Sequence, residues 1–252
     1  LAKRIDPEIP RLFGRLPRMT YGVKAMPDYK AVSGPPAYYQ GGSIEGGRAG
    51  YFEANAIDMK ASPRWGMEAL TLHEAVPGHH LQIALAQEMT GLPEFRKRSG
   101  PTAFVEGWGL YAESLGSELG FYKDPYSKYG QLTYEIWRAI RLVVDTGLHV
   151  KGWTREQVMQ YFRDNGPFAE QAIRNETDRY IANPGQALAY KIGELKFKEL
   201  RPRSQEKLGE RFDIRKFHDE LLSSGALPLN IIEEKMTAWM GTESKSQVRG
   251  VH

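Results

Sequence analysis

Two residues in the middle of an otherwise helical stretch, Pro77 and Gly78, constrain the fold of this chain most strongly. They stand in the segment TLHEAVPGHHLQ, which runs from residue 71 to residue 82. Apolar residues recur at helical spacing on both sides of the pair, which predicts helical structure before and after it. Proline has no N–H for the carbonyl four residues earlier, and glycine adopts backbone conformations that other residues avoid. The sequence therefore predicts a bulge or a local unwinding between Val76 and His79.

Histidines flank this break. His73 and His79 are separated by about 600° of ideal helix, so a regular helix would place them on different faces. His73 and His80 would share a face, but about 10.5 Å of axial rise separates them, which is too far for one ion. A bulge would return His79 to the side of His73 and leave Glu74 where H-E-x-x-H enzymes hold their general base. Alternatively, the break ends one helix, and both later histidines begin the next helix on a solvated face.

The segment VEGWGLYAESL adds two carboxylates. Glu106 and Glu113 are seven residues apart, which places them on one face of a predicted helix. Glu106 lies far enough after His73 for a helix, a turn and a return. Because catalytic zinc sites combine histidines with a glutamate, Glu106 is a candidate third ligand. Both glutamates could instead be surface carboxylates.

The composition is that of an ordinary globular protein. Of the 252 residues, 41% are hydrophobic and 26% are charged, so a normal core is expected. A formal charge of +3, with no dense run of Lys or Arg, argues against a nucleic-acid partner. No stretch approaches the ~20 apolar residues of a membrane span. The chain has no cysteine, which excludes disulfides and thiolate metal sites.

The expected fold class is α+β, mainly α. Dense prolines favour an extended lead-in over residues 1–36, with a short helix near 10–16. AYYQ and GYFEANAI predict two short strands of a small antiparallel or mixed sheet. Residues 37–252 are expected to form one domain, in which the sheet precedes a series of helices. Helices are predicted from 63 to 89 around the Pro-Gly break, at 103–120, 125–148 and 168–181, after 184, and twice between 213 and 240. A further helix is predicted to start at a capping box formed by Thr154 and Gln157, and GLPEFRKRSGPT at 91–102 is predicted to be a break.

Several residues of the third helix and beyond suit supporting roles. Arg141, Asp145 and His149 lie along one stripe of the helix. Asp145 could accept a hydrogen bond from a ligand histidine and fix its tautomer. His149 or Tyr190 could donate to the oxyanion of a tetrahedral intermediate. The alternatives are an Arg141–Asp145 salt bridge and a half-buried core tyrosine at position 190.

The remaining candidates carry weaker signals. His218 and His252 show no partner pattern, so both are predicted to be surface residues. The strand GYFEANAI could be the edge that holds an extended peptide by main-chain pairing. The aromatic residues of the strands are either pocket walls or strand-packing groups: Tyr38, Tyr39 and Phe52.

HEAVPGHHLQ followed by EGWGLYAESL resembles the bacterial zincin-like family catalogued as domain of unknown function 885, grouped with gluzincin metallopeptidases. The resemblance extends from about Pro10 to Trp239. Further segments carry it: PAYYQGGSIEGGRAGYFEAN, RLVVDTGLHVKGW, NPGQALAYKIG and ALPLNIIEEKMTAW. It implies a zincin-like helical domain in which Zn2+ is bound by His73, His79 and Glu106, with Glu74 as base. The family pattern H-E-x-x-P-G-H favours His79, and sequence alone leaves His80 as a reserve ligand.

The resemblance also implies a function and a partner. The expected activity is zinc-dependent hydrolysis of a peptide substrate. The alternatives are a metal-binding or structural module without turnover, and a metallohydrolase of a non-peptide amide or ester. Chains of this family are about twice as long, with a helical N-terminal half, so this chain is expected to be the C-terminal, metal-bearing half. No signal peptide is visible, and the compartment stays open between periplasmic or secreted and cytoplasmic.

Overall fold

The computed structural model describes residues 1–32, 34–57, 63–98 and 100–245. Near the N-terminus it contains a mixed sheet with the strand order β1-β3-β2. The strands are β1 Tyr21–Ala25, β2 Ala37–Gln40 and β3 Gly50–Ala54. Strand β3 is parallel to β1 and antiparallel to β2, which confirms the predicted small sheet.

The sheet differs from the prediction in two respects. The segment GYFEANAI supplies β3, which lies in the centre of the sheet, so its proposed role as an edge was wrong. The edge position next to it belongs to β2, which pairs with β3 alone among the strands. Strand β1 was not predicted, and it lies within the 36 residues interpreted as an extended lead-in.

The N-terminal segment contributes to the core as well as to the sheet. Helix α1 spans Ala2–Ile5, a 3-10 helix follows over Asp6–Arg11, and α2 spans Asp28–Ala31. The first helical segment therefore begins before the predicted 10–16. Ile5 and Ile9 are buried in the main core.

The rest of the described chain is mainly helical, which confirms the α+β, mainly α class. The helices follow in chain order: α3 Met67–Glu74, α4 His79–Glu88, α5 Glu94–Arg98, α6 Thr102–Ser114, α7 Pro125–Lys151, α8 Arg155–Asn165, α9 Glu170–Ala182, α10 Ala189–Leu208, α11 Ile214–Leu222 and α12 Leu229–Glu243. Helix α5 lies where the sequence suggested only a break. None of the helices in the described part of the chain combines the length and the apolar character that a membrane span requires.

Helix ends follow the local sequence. Asp124 is the N-cap of helix α7: its side chain accepts a hydrogen bond from the Tyr126 N–H, and Pro125 occupies the first turn. Helix α8 begins at the predicted capping box, in which Thr154 and Gln157 each accept the other's backbone N–H.

Helices α6 and α10 cross at backbone contact. A Cβ atom at Gly107 would overlap the backbone of Gly193, and one at Gly193 would overlap the Ala103 carbonyl oxygen. Only glycine permits this approach. The crossing brings the helix that carries Glu106 against the helix that carries Tyr190.

Two hydrophobic clusters hold the helices. The main cluster includes the fully buried Trp108 of α6 and side chains of α3, α4, α10, α11 and α12. The second cluster fastens α8 and α9 to α7, through Val144, Phe162 and Ile173. Together they fix α3, α4, α6, α7, α9 and α10, which carry most of the candidate site.

Candidate metal centre

The helical stretch is interrupted at the Pro-Gly pair. Helix α3 ends at Glu74, and α4 begins at His79, so the break separates two helices instead of bulging a single one. A Cβ atom at Gly78 would overlap the carbonyl of His73, so only glycine lets the chain turn back this tightly. The Pro77 carbonyl accepts a hydrogen bond of 2.8 Å from the Trp108 indole N–H, which fixes the break against α6.

The break brings His79 to the side of His73. Their ring centres are 4.7 Å apart and the rings are perpendicular. Nε2 of His73 lies 3.7 Å from Oε2 of Glu106, and Nε2 of His79 lies 3.4 Å from the same oxygen. One potential ligand atom from each residue falls within 4.8 Å of the other two.

This spacing fits a small tetrahedral ion. With bonds of about 2.0–2.2 Å, the ligand atoms of a tetrahedral zinc site lie roughly 3.3–3.6 Å apart. The two measured distances to Glu106 are close to that value, and two imidazoles with one carboxylate form a known zinc donor set. The residues therefore fit the ion that the family resemblance implies.

A second carboxylate orients the first histidine. Oε1 of Glu113 lies 2.7 Å from Nδ1 of His73, and the same oxygen lies 3.1 Å from Nη2 of Arg138. Glu113 is almost completely buried. The Glu113 carboxyl oxygen accepts the Nδ1–H, so Nε2 is the nitrogen of His73 that faces Glu106 and the candidate metal position.

The ionisable groups influence one another. Burial lowers the pKa of His73, but hydrogen bonds to Glu106 and Glu113 outweigh burial and raise it to about 9. Burial raises the pKa of Glu106, but the two histidines outweigh it and hold that pKa well below its ordinary value. The cluster thus favours an ionised Glu106, the form that ligates metal.

Glu74 lies next to this cluster. It is 6% exposed, and it lines a cleft of about 490 Å3 together with His73, His79 and Glu106. Its Oε2 atom is buried and has no hydrogen-bond partner among the described residues. A buried carboxylate oxygen without a partner is unfavourable unless a water or a ligand completes it.

His80 points away from the cluster. Nδ1 lies 2.8 Å from the Tyr39 hydroxyl and Nε2 lies 3.1 Å from the Met19 carbonyl oxygen. Both ring nitrogens are therefore occupied. Burial lowers the pKa of His80 to about 4, which keeps the ring neutral at pH 7. The structure thus favours His79 over His80 as the second ligand.

Tyr190 belongs to the cleft, whereas His149 does not. Tyr190 lines it, and its ring centre lies 6.3 Å from that of His73. His149 is exposed and contacts the Tyr180 carbonyl oxygen through Nε2 at 3.0 Å. On α7, His149 lies about 12 Å along the helix axis from Arg141. Of these two residues, only Arg141 lines the cleft.

The carboxylate predicted to orient a ligand was the wrong one. Both oxygens of Asp145 accept the Gly185 N–H at 3.1 Å, whereas Glu113 contacts His73. Arg141 pairs with Glu176 at 3.0 Å, not with Asp145 as the alternative interpretation suggested.

Of the two remaining histidines, only His218 lies in the described part of the chain. His218 was predicted to be a surface residue, but it is fully buried. Its Nδ1 lies 2.8 Å from the Leu12 carbonyl oxygen and its Nε2 2.9 Å from the Tyr111 hydroxyl. The prediction failed because both partners come from distant segments. His252 lies outside the described residues.

The strand aromatics serve both purposes that the sequence left open. Tyr38 and Tyr39 of the edge strand β2 line the cleft, and Tyr38 donates a 2.5 Å hydrogen bond to Glu53. Phe52 is buried in a small cluster with Ala37 and is therefore a packing residue.

The arginine-rich wall of the cleft was not predicted from the sequence. Arg138 and Arg141 of α7 and Arg179 of α9 line the cleft, together with Glu176 and Trp137. The available sequence signal was a spacing of three residues, between Arg138 and Arg141 on α7 and between Glu176 and Arg179 on α9. Ordinary surface salt bridges show the same spacing, so the signal could not be told from them.

The chain belongs to a bacterial family without an established function. The family described as "Bacterial protein of unknown function (DUF885)" matches residues 1–236. The resemblance to this family is thus confirmed. The description of the family does not include a zincin-like classification. Among curated proteins, none matches this chain.

Solved structures resemble the chain over nearly its whole length. One is described as the putative lipoprotein from Colwellia psychrerythraea, with 40% identity and a TM-score of 0.92, and the match covers 95% of this chain and 41% of that one. Another is described as a putative lipoprotein of unknown function from Shewanella oneidensis, with 21% identity and a TM-score of 0.77 over 94% and 45% of the respective chains. The second likeness shows the fold alone. The chain therefore spans less than half the length of either structure.

Proposed function

We propose that this protein is a zincin-like, gluzincin-type metallopeptidase that hydrolyses peptides with a zinc ion. The observation that carries the proposal is the convergence of His73, His79 and Glu106 on one point, with Glu74 beside it on the wall of a cleft. The spacing suits zinc, and the orienting Glu113 is the kind of outer partner that functional zinc sites use.

Zinc bound there would lower the pKa of a water ligand towards ~7 and polarise the carbonyl of the scissile bond. Glu74 is the general base, because it directly follows His73 in the chain, lines the same cleft and keeps one oxygen without a partner among the described residues. It accepts the proton of the attacking water and delivers it to the nitrogen of the leaving amine.

Tyr190 is the donor to the oxyanion. Its hydroxyl oxygen accepts hydrogen bonds from Arg179 Nη2 at 3.2 Å and Gln186 Nε2 at 3.3 Å. The hydroxyl proton is then available for a further acceptor in the cleft. Two incoming N–H groups polarise the hydroxyl and make it a better donor. A developing oxyanion near His73 would benefit from such a donor.

The edge strand β2 gives an extended peptide a surface to pair with. Residues 37–39 of β2 line the cleft, and the strand pairs with β3 on its other side. A peptide that adds to such an edge is held by its main chain, which positions the scissile bond without requiring a particular side chain.

The proposal is tested with zinc-loaded protein and a mixed peptide library whose cleavage is read by mass spectrometry. The expected result is cleavage by the wild type and a loss of at least about 100-fold in Glu74→Gln, the scale of general base catalysis. Equal product from both proteins would refute the peptidase assignment. A Glu88→Gln variant, which alters a carboxylate of α4 outside the cleft, serves as the matched control.

A metal-binding or structural module without turnover is the second candidate, because this chain spans only 41–45% of the similar structures. A third is a metallohydrolase that acts on a non-peptide amide or ester. The metal-binding module would be favoured if the wild type binds zinc stoichiometrically but cleaves no peptide, and if His73→Ala loses the zinc. Hydrolysis of chromogenic amides or esters but not of peptides would favour the third candidate.

We also propose that a helical N-terminal half is a partner of this domain. Helix α7 carries an exposed apolar stripe at spacings of three, four and seven residues, which one helix face would present. The stripe consists of Tyr129, Leu132, Ile136, Val143 and Val150. Binding of a separately expressed N-terminal half from a family member should be weakened by Leu132→Glu and not by Tyr29→Glu, an exposed residue elsewhere.

The similar structures suggest a location as well. Both are described as putative lipoproteins, so we propose that this protein acts outside the cytoplasm, in the cell envelope or beyond it. Fractionation of cells that express the complete protein, with recovery in the cytoplasm alone, would overturn this assignment.

A further inference from the structure

Arg141 holds a guanidinium group that is buried beside the cleft and only partly paired. Its Nε donates to the Tyr180 hydroxyl at 2.8 Å and its Nη2 donates to Glu176 at 3.0 Å. Nη1 is buried and makes no hydrogen bond within the described part of the chain. Because a buried charged donor is costly to leave without an acceptor, an incoming anion would satisfy it.

The charges of this wall do not balance. Arg141 and Arg179 both pair with Glu176, whereas Arg138 pairs with Glu113. Two guanidinium groups therefore share one carboxylate among the described residues. This wall keeps an excess of positive charge that a substrate carboxylate would neutralise.

Arg141 lies a short distance from the candidate metal centre. Its guanidinium carbon is 4.5 Å from the centre of the Tyr190 ring, and that centre is 6.3 Å from the centre of the His73 ring. The guanidinium is thus within about 11 Å of the histidine ring. Since an extended chain rises about 3.3–3.6 Å per residue, at most about three residues fit between them.

We propose that Arg141 binds the C-terminal carboxylate of the substrate, which makes the enzyme an exopeptidase that removes about one to three residues. This inference rests on the proposed peptidase function. In the reaction, the oxygen of water bonds to the scissile carbonyl carbon and the C–N bond breaks. Both protons of the water pass to the nitrogen of the released fragment, which becomes an ammonium group, and the shortened peptide ends in a new carboxylate. Arg141 touches the substrate away from the reacting bond, so it determines specificity.

A matched set of peptides tests the assignment with zinc-loaded wild-type protein. One peptide has a free C-terminal carboxylate, one has a C-terminal amide, and one has the amide with a glutamate near its end. The free acid should be cleaved with a kcat/KM at least about tenfold above that of the plain amide, the usual effect of a charge-assisted hydrogen bond. Mass spectrometry should show loss of short C-terminal fragments.

Equal cleavage of acid and amide, or cleavage far from the terminus, would overturn the inference. Equal rates for the acid and the glutamate-bearing amide would show instead that the site accepts any carboxylate, and would also overturn it. In Arg141→Gln the preference for the acid should disappear. Arg155→Gln, which alters an exposed arginine paired with Asp178, should keep the preference. Thermal unfolding of each variant shows whether it is folded.

A binding measurement separates this inference from the proposed function. Zinc-loaded Glu74→Gln is titrated calorimetrically with the acid and with the amide peptide, which requires no turnover. Tighter binding of the acid by at least about tenfold supports the carboxylate site even if no peptide is cleaved, in which case only the peptidase assignment fails. Equal affinity, with or without cleavage by the wild type, refutes the carboxylate site.

Discussion

Oε1 of Glu113 lies 2.7 Å from Nδ1 of His73, and this contact determines which nitrogen of the ring is free to bind a metal. Both residues are buried, so water does not compete for the hydrogen bond. The contact spans forty residues and joins α6 to α3. Helix α6 therefore supplies both a candidate ligand, Glu106, and the group that orients another ligand.

The first prediction concerns this orienting carboxylate. Glu113→Gln keeps the size of the side chain but removes its charge, so it no longer favours the Nδ1–H tautomer of His73. We expect the zinc affinity, measured by competition with a chromogenic chelator, to fall about 10- to 100-fold. Glu118→Gln, which alters a carboxylate paired with Arg201, should leave the affinity unchanged. An unaltered affinity in the Glu113 variant would show that the contact is structural only.

The second prediction concerns a glycine that makes room for His73. A Cβ atom at Gly109 would lie 2.7 Å from both Nε2 and Cε1 of the His73 ring, closer than such contacts allow. Gly109→Ala should therefore displace the ring and weaken zinc binding by at least about tenfold, on the scale of a disturbed ligand. In Gly241→Ala the new methyl group meets no atom within 4 Å, so the affinity should not change. Wild-type affinity in the Gly109 variant would contradict the geometry.

The third prediction separates the two neighbouring histidines. His79→Ala removes a candidate ligand, so stoichiometric zinc should be lost on dialysis at pH 7. His80→Ala should retain zinc and lose about 1–3 kcal/mol of unfolding free energy instead, because it leaves the Tyr39 hydroxyl and the Met19 carbonyl without their partner. Metal analysis and urea unfolding of both variants provide the two measurements. Zinc loss in His80→Ala with retention in His79→Ala would reverse the assignment.

Local sequence signals predicted much of the fold and of the site. The capping box at Thr154 and the break at Pro77 are determined within a few residues, and both were found where predicted. The candidate ligands followed from motif spacing and the family resemblance. Strand β1 is short and pairs with β3 more than twenty residues later in the chain, which no local pattern reveals.

Contacts between distant segments could not be predicted in this way. Whether Asp145 or Glu113 reaches His73 depends on how α6 and α7 pack against α3, and periodicity leaves that open. His218 illustrates the same limit, because its partner carbonyl at Leu12 is 206 residues away. The face of a helix can be inferred from its pattern, but the element that covers the face cannot.

The fourth prediction concerns stability at mildly acidic pH. His218 is fully buried, and burial lowers its pKa from 6.5 to about 4. Below pH 6.5 the unfolded chain binds a proton at this residue, whereas the folded protein does not until the pH approaches 4. The stabilisation is therefore complete above pH 6.5 and is lost as the pH falls from 6.5 towards 4.

The pH effect of His218 is measurable with a variant that cannot titrate. Between pH 7 and pH 5 the shift should remove about 2 kcal/mol of unfolding free energy from the wild type. His218→Phe loses the hydrogen bonds to Leu12 and Tyr111, so it is less stable at both pH values, but it lacks this pH-dependent part. Urea unfolding at pH 7 and pH 5 should therefore show a larger decrease for the wild type than for the variant. Equal decreases would mean that His218 is protonated in the folded protein, which its burial between Phe13 and Trp108 opposes.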